Sequence, residues 1–398
     1  MTITVIEHGE FPQQLCLLGE WRRLQAMAGD STLFTTPEWV QTWMEVFGEN
    51  KRLRLLEVRL DEHLLGVVPL VGAQLKRSST LAVYHDLQPE DRKYVTRSGK
   101  NWLPVRQLSV PANLESANLR GGWVCQPEQR AAVLQAAFAH LAGDRDWDVL
   151  VLPSVKLEDA SEVIRCAQDA GLRSRILLEN ALYGFKVRNW EQYLAEQSTN
   201  FRKGFRSAAN RLRAYGETHI ETLTDPARIS IALESMFELA RLSWKEEGRS
   251  GQATHLPLTE AAARFYRMLA QRLAPTGNTQ LFLLSVNGEM AGCMLTYSAD
   301  EWLYGMQTFY NPAFAHISPG RFLMRELIQW ASSNGIRWVD LNGNSALVTA
   351  YSEHAQKYQR LMLFRPGAYP NLLYRLSNAA LLAARVRSWV AAKSAVSS

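Results

Sequence analysis

Between Asp340 and Tyr358 the chain carries a carboxylate, an amide (Asn342), an imidazole (His354), an ammonium (Lys357) and a phenol. Such a set can move protons near neutral pH: Asp340 or His354 can accept one and Tyr358 can donate one, while Asn342 and Lys357 hold a polar substrate or steady a developing oxyanion. Just upstream, Ser318-Pro319-Gly320-Arg321 has the composition of a helix start. Ser318 is expected to cap it and Pro319 to fill its first position, while Gly320 leaves the first-turn amides uncovered, which makes an anion seat beside Arg321. Tyr310 and His316 flank the turn into that helix, and Trp244 and Glu246, from the stretch WKEE, are candidates for an acceptor cleft. Each has a plainer reading: a turn hydrogen bond for Asp340, loop histidines for His316 and His354, a solvated helix end for WKEE. No G-x-S-x-G elbow occurs and no cysteine lies near a histidine in sequence, so direct attack is favoured over a covalent intermediate.

The elements that must position these residues say the same thing twice. LRLLEVRL, the turn DEH and LLGVVPLVG read as a hairpin of two apolar strands; TQLFLLSV, Asn287-Gly288 and EMAGCMLTY repeat it. A helix and a strand follow each: AAVLQAAFAHLAG with WDVLVLP, then RFLMRELIQWASSNG with IRWVDLNG. In the second copy the strands read as a meander near 279–286, 289–298 and 301–309, leading into the helix at Ser318. Two related α/β units are the economical account, with 1–180 as the first domain, 181–370 as the second and 371–398 as a basic amphipathic tail. Between the copies, STNFRKGFRSAANRLRAYGE places Phe201, Phe205, Ala208, Leu212 and Tyr215 at helical spacing and Arg202, Lys203 and Arg206 on other faces. Those three cations are expected to meet a carrier's phosphates.

With 398 residues, 47% of them hydrophobic and 21% charged, the chain is an ordinary globular protein large enough for two cores. The start, MTITVIEHGEF, lacks the pattern of a secretory signal and no apolar run is long enough to span a bilayer, so a cytoplasmic location is expected. Cys16, Cys125, Cys166 and Cys293 are scattered, which argues for buried free thiols and against zinc or a disulfide framework. The net charge of +5 is uneven: after Glu353 there is no acidic residue, while Arg375, Arg385 and Arg387 lie in NLLYRLSNAALLAARVRSWV. That stretch could rest on an anionic membrane surface at the inner face, or pack its leucines on the protein.

Four segments in order, TPEWVQTWMEVFG, FRKGFRSAANRLRAYGE, ARLSWKEEGRSG and SPGRFLMRELIQWASSNGIRWVDLNG, resemble the FemAB-like and CelD-like branch of the GNAT acyltransferase superfamily. The resemblance implies two tandem GNAT-like domains, each a mixed central sheet flanked by helices. It implies acyl transfer from acyl-CoA, or from aminoacyl-tRNA or an acyl carrier protein, to an amine or hydroxyl of a small molecule or glycan in cell-envelope polysaccharide or peptidoglycan chemistry. Nucleic acid enters only with the aminoacyl-tRNA donor, and no metal is required. The phosphate loop is reduced: Ile317 and Phe322 stand where the superfamily carries a polar and a small residue. A binding protein that has lost catalysis, serving an envelope-polysaccharide system, is the alternative. Neither the acyl group nor the oligomeric state can be read from the residues.

Overall fold

The computed structural model describes residues 2–28, 33–75, 104–113, 115–116, 120–250, 258–343 and 346–377. The first half runs β1 (Ile3–His8), α1 (Leu15–Met27), α2 (Pro37–Phe47), β2 (Arg52–Leu60), β3 (His63–Leu75), β4 (Val105–Ser109), β5 (Val124–Cys125), α3 (Arg130–Gly143), β6 (Val149–Lys156), α4 (Ala160–Asp169) and β7 (Arg173–Lys186). Two connecting helices follow, α5 (Trp190–Glu196) and α6 (Thr199–Tyr215). The second half then repeats the order: β8 (Thr218–Leu223), α7 (Pro226–Ser250), α8 (Glu260–Leu273), β9 (Thr279–Val286), β10 (Glu289–Ala299), β11 (Trp302–Tyr310), α9 (Pro319–Ser333), β12 (Trp338–Asp340), α10 (Ala346–Tyr351) and β13 (His354–Phe364). The repeat expected from the two hairpins is thus a repeat of whole units.

Local chemistry accounts for many of the boundaries. Thr36 caps α2 by accepting from the Trp39 amide at 3.2 Å, with Pro37 behind it. Asn189, Ser198 and Thr259 cap α5, α6 and α8 in the same way. Asn287 and Gly288 both take positive φ, the geometry of the tight turn that joins β9 to β10 in register from Val286↔Glu289.

All the strands join one sheet, in the order β1-β2-β3-β4-β6-β13-β7-β12-β11-β10-β9-β8, with β5 pairing β3. The boundary expected near residue 180 falls inside β7. Moreover, β7 pairs β12 of the second half, while β13, from the end of the chain, pairs β6 of the first and β7 beside it. Each half therefore places its last strand beside the other half's parallel pair, and the sheet crosses the molecule unbroken.

Helices cover both faces. On one face α3 and α4 pack over the first half, through Leu134, Phe138 and Val163, and α5, α6, α9 and α10 pack over the second, through Phe205, Phe322 and Tyr351. On the other face α1 and α2 meet α7 and α8 in a single core that contains Trp39, Trp43, Phe265 and Tyr304. Residues 368–377 are helical and set Leu373 against Val149, Val151 and Phe364 on that same face. The start of the tail is therefore packed on the sheet; Arg385 and Arg387 lie outside the described residues. Cys125, Cys166 and Cys293 are buried as expected, whereas Cys16 is exposed on α1.

Candidate functional site

In the second half β11 and β12 run parallel for only three pairs, Trp302↔Trp338, Leu303↔Val339 and Tyr304↔Asp340. β11 then continues to Tyr310 while β12 stops, so the sheet parts. At the same level β11 gains one residue on its other neighbour: Thr296 faces Gly305 and Leu295 faces Gln307, leaving Met306 as the extra residue of a bulge. A bulged residue has no partner of its own in the ladder, and this one lies beside the opening.

On one side of this opening stands the start of α9. Ser318 adopts φ 60° and ψ 63° and makes no side-chain cap bond, so the expected serine cap is absent; its carbonyl instead accepts from the Arg321 amide at 3.1 Å. A Cβ on Gly320 would stand 3.1 Å from the Leu347 side chain of α10, a tight contact that places this glycine against helix packing. Arg321 folds back over α6, where only a glycine leaves room: a Cβ at Gly204 would come within 3.2 Å of Nη1. That Nη1 is buried and has no hydrogen-bond partner. An orphaned buried guanidinium nitrogen is a fit for an anionic group.

Arg202, Lys203 and Arg206 project from α6 into solvent. Arg202 donates to the Ala195 carbonyl and Thr199 hydroxyl. Arg211 ties the helix to the segment before α9 through the His316 carbonyl at 2.8 Å.

On the opposite side lies a polar cluster. Asp340 accepts from Arg120 Nη1 and, through its other oxygen, from the Asn342 amide at 2.7 Å. Arg120 Nη2 donates to Asn342 Oδ1 at 2.7 Å. The guanidinium lies 4.2 Å from the Phe34 ring centroid and 5.6 Å from that of Tyr304. Tyr358 interacts electrostatically with both Arg120 and Tyr304, and burial pushes the Tyr304 phenol far above its ordinary range, so Tyr304 stays a hydroxyl.

The structure thus brings together Asp340, Asn342 and Tyr358 and adds Arg120 and Tyr304. Asp340 is held in an ion pair with Arg120, and both of its oxygens accept hydrogen bonds. The segment from His354 to Tyr358 is the start of β13 and not a loop, so its side chains alternate: Tyr358 is buried while Lys357 is exposed on the other face.

Tyr310 sits at the end of β11, 37% exposed, its carbonyl accepting from Ser243 of α7. His316 is exposed with its ring 4.8 Å from that of Tyr215. The side chains of Trp244, Glu246 and His354 lie outside the described residues. Arg120 was missed because a lone arginine between Leu119 and two glycines carries no local signal; Tyr304 reads only as a strand aromatic.

Two surface hollows lie elsewhere. One of about 520 Å³ is lined by Glu7, Arg52, His140 and Asp144, and one of about 400 Å³ by Lys51, Arg106 and neighbours, both at the first half's side of the sheet. Among the described residues no cluster of three or more histidines, cysteines or carboxylates is arranged to hold a metal. No helix among them is long and apolar enough to cross a membrane.

Residues 199–360 match the family model described as an acetyltransferase (GNAT) domain. The whole chain shares its fold with FemX, at a TM-score of 0.59 and 12% identity over 90% of this chain and 98% of that one. It is also similar to the C-terminal domain of a protein described as a lysylphosphatidylglycerol synthetase from Agrobacterium fabrum, at a TM-score of 0.50 and 9% identity over 92% and 94% of the two chains. No curated protein matches the chain in sequence. The parted sheet and the bulge both fall within the stretch that matches the GNAT domain model.

Proposed function

We propose that the protein transfers an acyl group from a carrier lying across the β11–β12 opening to an amine or hydroxyl of a cell-envelope component. The observation that carries this reading is the opening itself, with an anion seat on one side and a polar cluster on the other. Arg321 and the first-turn amides of α9 would hold the carrier's phosphate, with Arg202, Lys203 and Arg206 adding positive potential around it. The Met306 amide would donate to the thioester or ester oxygen as it gains charge. The acceptor would enter on the side of Arg120, Asp340 and Tyr304. Tyr358 would return a proton to the leaving group, and His354 is the proposed proton acceptor, since Asp340 is engaged by Arg120.

Acyl-CoA is the donor proposed first and aminoacyl-tRNA the second. Transfer to envelope material is supported by the name of one similar protein, a lysylphosphatidylglycerol synthetase. We propose further that the protein works on the cytoplasmic side, with the end of its basic tail near an anionic membrane surface.

Single-turnover transfer from radiolabelled acetyl-CoA, longer acyl-CoAs and aminoacyl-tRNA to amino sugars, peptidoglycan precursor peptides and aminolipids tests the reading. Label should enter one acceptor class, and Arg321→Ala should slow it. Failure of every donor to bind or react would remove the enzymatic reading and leave an accessory binding role.

A further inference from the structure

The two halves differ most where they should be most alike. In the first half Gln107↔Val149, Leu108↔Leu150 and Ser109↔Val151 are the three parallel pairs equivalent to those between β11 and β12. Ser109 thus corresponds to Tyr304 and Val151 to Asp340. Val151 packs with Leu373, so among the described residues an apolar side chain stands in the first half where Asp340 stands in the second.

Where β11 makes its one-residue bulge, the first-half strand breaks altogether. β4 leaves β3 after Ser109↔Val71, and the chain returns to β3 only at Val124↔Val67. The described parts of this excursion, 110–113, 115–116 and 120–123, touch both the shared core and the second half. The Pro111 carbonyl accepts from Trp39 Nε1 at 3.2 Å. Glu115 accepts from the Thr259 hydroxyl at the head of α8 at 2.7 Å. Its far end delivers Arg120, 4% exposed, to Asp340 and Asn342.

We infer that Arg120 is a positioning residue for the second half's opening, supplied by the first half in place of a site of its own. The planar fork binds the side chains of Asp340 and Asn342 together. Asn342 has φ 50°, a left-handed conformation that turns the chain away from β11 directly after the last parallel pair. The fork therefore holds the turn that keeps the sheet parted. Its stacking on Phe34 and Tyr304 fixes the fork itself against the core shared by the two halves. This rests on reading the opening as the donor passage, and it makes the active site joint property of both halves.

Hydrogen exchange of the full chain, followed by mass spectrometry, tests the positioning without needing a donor. In Arg120→Met, peptides covering 302–310 and 338–343 should exchange about tenfold faster, while those covering 52–60 and 149–156 stay within about twofold of wild type. Asp340→Asn should reproduce the pattern, and the double variant should add little to it. Arg120→Lys, which keeps the charge but not the fork, should restore the melting midpoint and leave 338–343 fast. Faster exchange spread evenly over the chain, no change near the opening, or full restoration by lysine would each overturn the inference. Acetyl-CoA binding, measured in parallel on the wild type, tests the donor reading separately: its failure would remove acyl-CoA and leave the exchange comparison standing.

Discussion

Arg54 is only 2% exposed, yet three carboxylates share it: both oxygens of Glu7, one of Asp144 and one of Asp146, each at 2.7 Å. His140 joins the group through Glu7 at 2.9 Å, so the cluster pins β1 and the end of α3 to β2. Removing the cation leaves buried negative charge uncompensated, and Arg54→Leu should destabilise the protein by about 3–5 kcal/mol in urea unfolding near neutral pH. Burial by itself would raise the Glu7 carboxyl; the bonds from Arg54 and His140, with the Arg54 charge, outweigh it and hold the group below its ordinary value. A lowered folded value means stability that is fully present above the unfolded value of about 4.3 and lost as pH falls through the folded one. Wild type should therefore lose stability below about pH 4.3, and Glu7→Gln should flatten that slope in unfolding curves taken from neutral pH into acid. An unchanged slope would show that Glu7 does not carry the linkage.

At the scale of elements, the start of α9 separates two roles. Gly320 faces Leu347, so Gly320→Val should cost about 1–3 kcal/mol through overpacking, and Leu347→Ala in the same chain should recover much of it. Thermal melts of the single and double variants decide this, and absence of recovery would mean that the strain lies in the backbone. Arg321→Ala, by contrast, should leave the melt nearly unchanged and weaken CoA binding about tenfold, or about 1.4 kcal/mol, by calorimetry. The helix was legible at Pro319 and the hairpin at Asn287-Gly288, because turn and first-turn chemistry is local. The left-handed Ser318 was not, since it follows the short helix Pro312–Ile317, whose Phe314 and Ile317 pack into the core. Asp340 and Tyr358 were found from strand-end position alone. Their partner Arg120 is 220 residues from Asp340, and no periodicity or spacing reaches that far.

At the scale of the molecule, the meander, helix and parallel strand of each half were readable because each is a run of neighbouring elements. The exchange of β7 and β13 was not, because it pairs Val149 with Phe364 and Gly184 with His354. Neither half has a complete sheet by itself. Fragments 1–186 and 187–398 should be largely unfolded by circular dichroism when made separately and should recover structure when produced together. A first fragment that folds cooperatively alone would contradict this. If the first half has given up its site, the intact chain should also bind one donor, not two, in calorimetric titration.

The placement of β13 also sets a clock on synthesis. β6 and β7 leave the ribosome long before the strand that fills the gap between them, and at about 5–20 residues per second the wait is on the order of 10–40 s. Throughout it, both strands present unpaired backbone edges that would readily accept a strand from another nascent chain. The helical residues 368–377 arrive just after β13 and cover Val149 and Phe364. The end of the chain therefore works as a closing clasp, and a slow or truncated message would release a protein whose widest sheet is open at its centre.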